Sequence, residues 1–203
     1  MRQLVKTIVV FSVLAALFTT EQACAGFVGL PRALAPQMQR IAFGGPALAP
    51  FAHTRFCMQY PADCVAHHII FRGGPIALTA ERREELLEVN AQVNRSIIPE
   101  HNNEGLAGEA WLLSPKAGDC NDYAVTKRHE LIARGWPSRV LLLAEVVTTW
   151  GEHHLVLVVR TREGDLVADS LYHDIKPWTR TPYQWVRIQS PEVPAFWSTL
   201  ASV

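Results

Sequence analysis

The chain has no excess charge of either sign. Its 203 residues carry 19 Lys and Arg against 19 Asp and Glu, a formal net charge of +0. That removes the electrostatic pull that draws proteins to nucleic acid or to anionic membrane surfaces. There is no internal repeat and no low-complexity tract, so repeat arrays and tail-like architectures are excluded. Cysteine is scarce, with four residues in all, so each one has to be accounted for. Long apolar runs are missing too. The run from Ile8 to Phe18 is broken by Ser12 and is too short for a typical membrane span.

What is present begins with that run. Arg2 and Lys6 precede it and the small residues Ala23-Cys24-Ala25 follow, so residues 1–25 read as a secretory signal peptide cleaved after Ala25. An uncleaved N-terminal anchor is the alternative. Lipidation of Cys24 is disfavoured by Glu21 and Gln22, which stand where a lipobox wants small or aliphatic residues. The 178 residues after Ala25 suit one domain with its own core, and they hold 17 basic and 18 acidic residues. Export implies a periplasmic or secreted protein in an oxidising compartment, where cysteines pair unless one is needed free. Cys57 and Cys64 flank a turn at Pro61, and we expect them to form a disulfide. The rival is a metal site from Cys57, Cys64, His67 and His68, but its spacing does not match the short zinc knuckle. Cys120 is then the odd thiol, and an unpaired thiol in an exported protein calls for an explanation.

Residues 26–50 are rich in Ala, Pro and Gly and read as an extended or poorly ordered lead-in to one domain over 51–203. Residues 51–78 look irregular and held by the disulfide. A helix should start at Thr79, with Glu81, Glu84 and Glu85 complementing its dipole and Leu86, Val89, Val93 and Ile97 as its buried stripe, and Pro99 ends it. Asn90 falls on the stripe, either as a core amide satisfied by backbone or as a side chain aimed at the functional centre. Buried polar groups usually find partners, which favours the first. A second helix should start with Asp119 as N-cap and Cys120 just inside, with Ala124, Val125, Leu131 and Ile132 apolar, Gly135 at C′ and Pro137 beyond. Arg128 lies mid-stripe and either snorkels or pairs with a buried carboxylate. Strands follow at 139–149, 154–159, 165–171 and 184–188. Their short connections imply an antiparallel meander, and two helices followed by a sheet read as α+β.

The chemistry centres on Cys120. A cysteine on the first turn of a helix feels the positive end of the dipole, which favours thiolate. His154 opens the most β-prone run and Asp169 ends the next, an order that could complete a Cys-His-Asp triad. Strand parity sharpens this. A tight turn at Glu163-Gly164 would pair His154 with His173, leaving Asp169 four positions along, roughly 13 Å away. Direct opposition needs the turn at Thr161-Arg162 or a longer loop containing Gly164. His153 has the opposite parity and should not be the base.

Gly118-Asp119-Cys120-Asn121-Asp122-Tyr123-Ala124, His154-Leu155-Val156-Leu157 and Val167-Ala168-Asp169-Ser170-Leu171 resemble the bacterial transglutaminase-like cysteine proteinases, over about Thr79 to Ile188. Glu109-Ala110-Trp111 is similar to the family's segment before its nucleophile. The group includes the LapG-type periplasmic proteases that clip biofilm adhesins. The resemblance implies a papain-like or transglutaminase-like α+β core, with the nucleophile at the N-terminus of a helix packed on an antiparallel sheet. It implies Cys120 as nucleophile, His154 as base and then acid, and Asp169 as orienter of the imidazole. The activity implied is peptidase action on a periplasmic or cell-surface protein substrate. Amine transfer to glutamine and an inactive binding module of the same fold are the alternatives. Adhesin-clipping members carry an acidic residue just after the cysteine, which helps bind calcium with the preceding Asp. Here that position is Asn121. Asp119, Asn121 and Asp122 allow calcium binding without requiring it, and no other cofactor is implied.

Overall fold

The structure is a computed structural model that describes residues 40–65, 74–102 and 105–201. The signal peptide expected over 1–25, most of the lead-in, and His67 and His68 lie outside the described residues.

Two long helices start where side chains can satisfy their first N–H groups. Helix α2 (Ala80–Ser96) is capped by Thr79, whose hydroxyl accepts from the Arg82 N–H. Its buried stripe is Leu86, Val89, Asn90 and Val93. Helix α4 (Cys120–Ala133) is capped by Asp119 in a reciprocal capping box with Asp122. It stops before Gly135, whose φ of +86° reverses the chain at no Cβ cost.

Several elements were not expected, and two of them lie in stretches read as irregular or extended. Helix α1 (Phe51–Gln59) occupies part of the stretch read as irregular. It lacks the extended periodicity of a surface helix because Ala52, His53 and Phe56 alone turn inward. Strand β1 (Phe43–Ala47) lies within the expected lead-in and pairs antiparallel with β9 (Trp197–Leu200). Its Gly-Gly-Pro sequence hides the strand signal, and an edge position tolerates it.

The other strands are β2 (Ile98–Pro99), β3 (Ala117–Gly118), β4 (Leu141–Val147), β5 (His153–Thr161), β6 (Gly164–Ala168), β7 (Lys176–Pro177) and β8 (Gln184–Gln189), and a single helical turn, α3 (Gly105–Gly108), lies between β2 and β3. The large sheet runs β1-β9-β8-β4-β5-β6-β7, antiparallel throughout. Strands β4, β5 and β6 form the expected meander, but its expected fourth strand, β8, crosses to the free flank of β4, and β7 takes the place beside β6. The meander leaves that edge of β4 unpaired, and a buried strand edge must find partners. The short parallel pair β2·β3 ties the end of α2 to the start of α4, reinforced by the Tyr123 hydroxyl donating to Ile97 O at 2.6 Å.

Both faces of the sheet are covered. Leu155, Leu157 and Val159 of β5 pack with α2 and α4 residues in one core. Val156 and Val158 pack on the other face with Ile41, Tyr183 and Ile188. A strand apolar on both faces belongs in the middle of a sheet, and β5 lies there between β4 and β6.

Arg128 resolves between its two expected roles in a third way. Its buried guanidinium donates to backbone carbonyls, Leu141 O at 2.9 Å and Asp63 O at 2.5 Å. The Asp63 carboxylate is used instead by His129, at 3.0 Å. Asp63 lies in the loop closed by the Cys57–Cys64 disulfide, so this loop docks on α4. With both sulfurs bonded to each other, neither can serve the rival metal set.

Candidate active site

Cys120 is the first residue of α4, and the turn before it is held from three directions. Asp119 Oδ1 accepts the Asn121 N–H at 2.9 Å. Asp122 Oδ2 accepts the Asp119 N–H at 3.0 Å, and its Oδ1 accepts the Leu112 N–H at 2.7 Å. A Cβ on Gly118 would lie 2.1 Å from Asp122 Oδ2, so only glycine lets that carboxylate in. Cys120 is the free cysteine among the described residues and is half-buried against the helix-side core.

His154 and Asp169 meet directly. His154 Nε2 and Asp169 Oδ1 are 2.7 Å apart, and both residues are buried, at 5% and 3% exposure. Neither turn considered from the sequence produces this. Thr161 pairs with Gly164 and Leu157 with Ala168, so the turn is Arg162-Glu163. Ile76 holds it there, donating its N–H to Arg160 O and accepting the Arg162 N–H at 2.8 Å. This register sets Asp169 beyond the end of β6, diagonal to His154 rather than opposite it. The expectation of direct opposition was wrong because diagonal neighbours on one face are within side-chain reach. Strand alternation puts His154 on the side of Val156 and Val158, away from the helices. Strand β6 stops at Ala168, short of the position opposite His154, and His154 lines the same cleft as Cys120. Among the described residues no hydrogen bond joins the Cys120 sulfur to the imidazole. His153 also lines the cleft, but it is exposed and lies 2.6 Å from Glu145 Oε1 rather than beside Asp169.

The cleft measures ≈ 710 Å³ and is lined by Trp150 and Leu171 together with Cys120 and His154. A second hollow of ≈ 430 Å³ shares Cys120 and His154 and is lined also by Phe51, Trp111 and Arg187.

The electrostatics correct one expectation. Burial pushes the Cys120 thiol up to about 12, Asp119, Glu109 and Asp169 add to the rise, and the Leu155 N–H opposes it. The helix N-terminus favours the thiolate, but desolvation and three nearby carboxylates outweigh it. Asp169 behaves oppositely. Burial would raise it, yet bonds from His154, the Tyr183 hydroxyl and the Leu171 N–H hold it below the usual carboxylate range. Asp122 is pushed up to about 6 by burial, with Asp119 and Glu109 contributing.

Two side chains at Asp169, Asn94 and Tyr183, escaped the sequence reading, and Asn90 lies close by. Asn94 Nδ2 donates to Asp169 O at 2.9 Å, and Asn90 Nδ2 donates to His173 O at 3.1 Å. Asn90 thus donates to backbone of the loop following Asp169, while its buried Oδ1 has no hydrogen-bond partner. Tyr183 donates its hydroxyl to Asp169 Oδ2. The i, i+4 spacing of Asn90 and Asn94 was visible as a polar pair on one helix face. Tyr183 precedes β8 with no local signal.

A half-buried thiol at a capped helix start, lining one cleft with a histidine bonded to a buried carboxylate on an antiparallel sheet, belongs to the transglutaminase-like class of α+β folds. Residues 43–203 match the family described as bacterial transglutaminase-like cysteine proteinase (BTLCP), and the chain belongs to that family. The family is one of cysteine proteinases. Among solved structures, calcium-bound LapG of Legionella pneumophila is similar at 25% identity with a TM-score of 0.50, covering 59% of this chain and 71% of that one. Two further structures of Legionella pneumophila LapG have TM-scores of 0.48. One, at 28% identity, covers 57% of this chain and 68% of its own; the EGTA-treated form, at 26%, covers 59% and 71%. No curated protein matches the chain.

Proposed function

We propose that this chain is an exported cysteine peptidase that cleaves an amide bond in a periplasmic or cell-surface protein. In this reading residues 1–25 are the signal peptide and residues 51–203, with β1 added to the same sheet, are the catalytic domain. Cys120 is the nucleophile, His154 the base and then the acid, and Asp169 the orienter. The observation that carries the reading is the buried 2.7 Å bond between His154 Nε2 and Asp169, set in the cleft that Cys120 lines. With Nε2–H given to the carboxylate, Nδ1 is the ring nitrogen available to take a proton. Because the resting thiol is held neutral, the proton leaves Sγ for Nδ1 as the sulfur attacks the carbonyl, rather than beforehand. The carbonyl becomes a thioester, the imidazolium protonates the leaving amine, and water resolves the thioester. The Cys120 N–H, at the start of α4, is aimed as a donor to the oxyanion.

Calcium fits the acidic turn in part. Asp122 has both oxygens engaged by N–H donors and is a scaffold rather than a ligand. Asp119 and Glu109 crowd negative charge beside the thiol, and Asn121 bridges to Glu109 Oε1 at 2.8 Å. Asp119, Asn121 and Glu109 are the residues that would hold the ion. Its charge would offset these carboxylates and lower the proton affinity of the thiol.

The test is cleavage of periplasmic and outer-membrane fractions by the purified mature protein, read as new N-termini by mass spectrometry. Wild type should generate a small set of cleavage sites and Cys120→Ala none. Equal cleavage by the two proteins refutes the reading. Incorporation of a primary amine in place of water would make the enzyme an acyltransferase.

A further inference from the structure

The second oxygen of Asp169 has an owner in the opposite core. Asp169 is 3% exposed, and its Oδ1 already takes His154 Nε2 at 2.7 Å and the Leu171 N–H at 3.0 Å. Oδ2 takes the Tyr183 hydroxyl. A carboxylate this deeply buried stays ionised only while donors surround it. Tyr183 is itself buried, and its ring packs 5.7 Å from the His154 ring at 53°, so one side chain touches both members of the pair. It enters from the segment before β8, the strand that crosses to the far flank of β4, and packs with the core on the side away from the helices.

We propose that Tyr183 is a positioning residue for the His154–Asp169 pair, donating to Asp169 Oδ2 while its ring seats the imidazole. The proposal rests on the reading of Cys120, His154 and Asp169 as the reacting set. Asp169 can rotate about its Cα–Cβ–Cγ bonds. With Oδ1 alone held, rotation would swing the carboxylate out of the imidazole plane. A donor on Oδ2 removes that freedom. Asn94 does the same for the backbone, donating to Asp169 O at 2.9 Å. The phenol cannot exchange its proton near neutral pH, since burial and the adjacent carboxylate both raise its proton affinity. It therefore acts as a fixed donor and never as an acid.

The sign of the effect follows. Removing a donor from an anionic pair raises the pair's affinity for a proton, whichever member receives it. Tyr183→Phe keeps the ring and deletes the donor. In the resting protein, NMR titration of the His154 imidazole should place the pair's midpoint about one pH unit higher in Tyr183→Phe than in wild type, the size expected for losing one bond to a buried carboxylate. The acid limb of the kcat/KM profile should rise by the same amount, with kcat falling about tenfold and KM little changed. An unchanged midpoint overturns the proposal, as does a loss of activity with no movement of the limb. If Tyr183→Phe does not fold, 3-fluorotyrosine at position 183 supplies the opposite perturbation. A more acidic phenol should lower the midpoint, and no shift refutes the assignment. The titration needs no turnover, so it stands apart from the test of the peptidase reading, which fails if Cys120→Ala retains activity.

Discussion

Labelling of Cys120 by iodoacetamide tests whether the resting site holds a thiol or a thiolate. The structure raises this group from a reference of 9.0 to about 12, through burial first and then Asp119, Glu109 and Asp169. At pH 8 the thiolate fraction falls from about 10⁻¹ to about 10⁻⁴, so alkylation should be roughly 1000-fold slower than for an unstructured peptide of the same sequence. The rate, read at the Cys120 peptide by mass spectrometry between pH 6 and 10, should climb tenfold per pH unit with no plateau. Glu109→Gln removes one of the contributing carboxylates and should speed labelling by about three- to tenfold at every pH, and calcium should act in the same direction if it binds there. A thiol raised in the folded state contributes stability that is present below its unfolded value and lost as pH rises toward about 12, so the protein should weaken in alkali. A labelling plateau near pH 6 to 7, faster than the peptide, would mean a preformed thiolate–imidazolium pair. That result would refute the argument that desolvation and carboxylates outweigh the helix terminus.

Gly118→Ala forces its methyl against Asp122 Oδ2, 2.1 Å away, and should destabilise the protein by about 2–4 kcal/mol in urea titrations while abolishing Cys120-dependent cleavage. Arg128→Met leaves the buried Leu141 and Asp63 carbonyls without their donors and should cost about 2–4 kcal/mol, read as a fall in Tm. Reducing the Cys57–Cys64 disulfide, with a sequence separation of 7, should cost about 2.5 kcal/mol on the loop-closure estimate, measured by chemical denaturation with and without reductant. Asp122 has its folded value raised to about 6, so its contribution favours the fold below its reference of 3.8 and is lost as pH rises through about 6. Asp122→Asn should remove that pH dependence from urea midpoints measured between pH 4 and 7.

Local signals carried the helices well. Thr79 and Asp119 cap α2 and α4 because a side-chain oxygen needs only an N–H two or three residues away. Helix α1 and strand β1 were missed because their evident partners are distant. Phe56 packs its ring 6.3 Å from Trp111, and Phe43 pairs with Leu200. The hairpin turn was misplaced by one residue because Ile76, more than eighty positions upstream, holds the backbone of Arg160 and Arg162. Tyr183 had no signal at all, since nothing in the segment before β8 says that its hydroxyl will meet Asp169.

The residues themselves determined the chemical vocabulary of this protein: one unpaired thiol at a capped helix start, a histidine and an aspartate on successive strands, and a family likeness in the blocks around them. Caps, turns and strand alternation act over a few residues, so a chain can specify them in place. Only tertiary structure decided that β8 crosses to the far flank of β4, that Asp169 reaches His154 diagonally, and that burial pushes the thiol up. Those outcomes depend on depth of burial and on neighbours brought in from elsewhere, and desolvation and Coulomb energy depend on distance through space rather than along the chain.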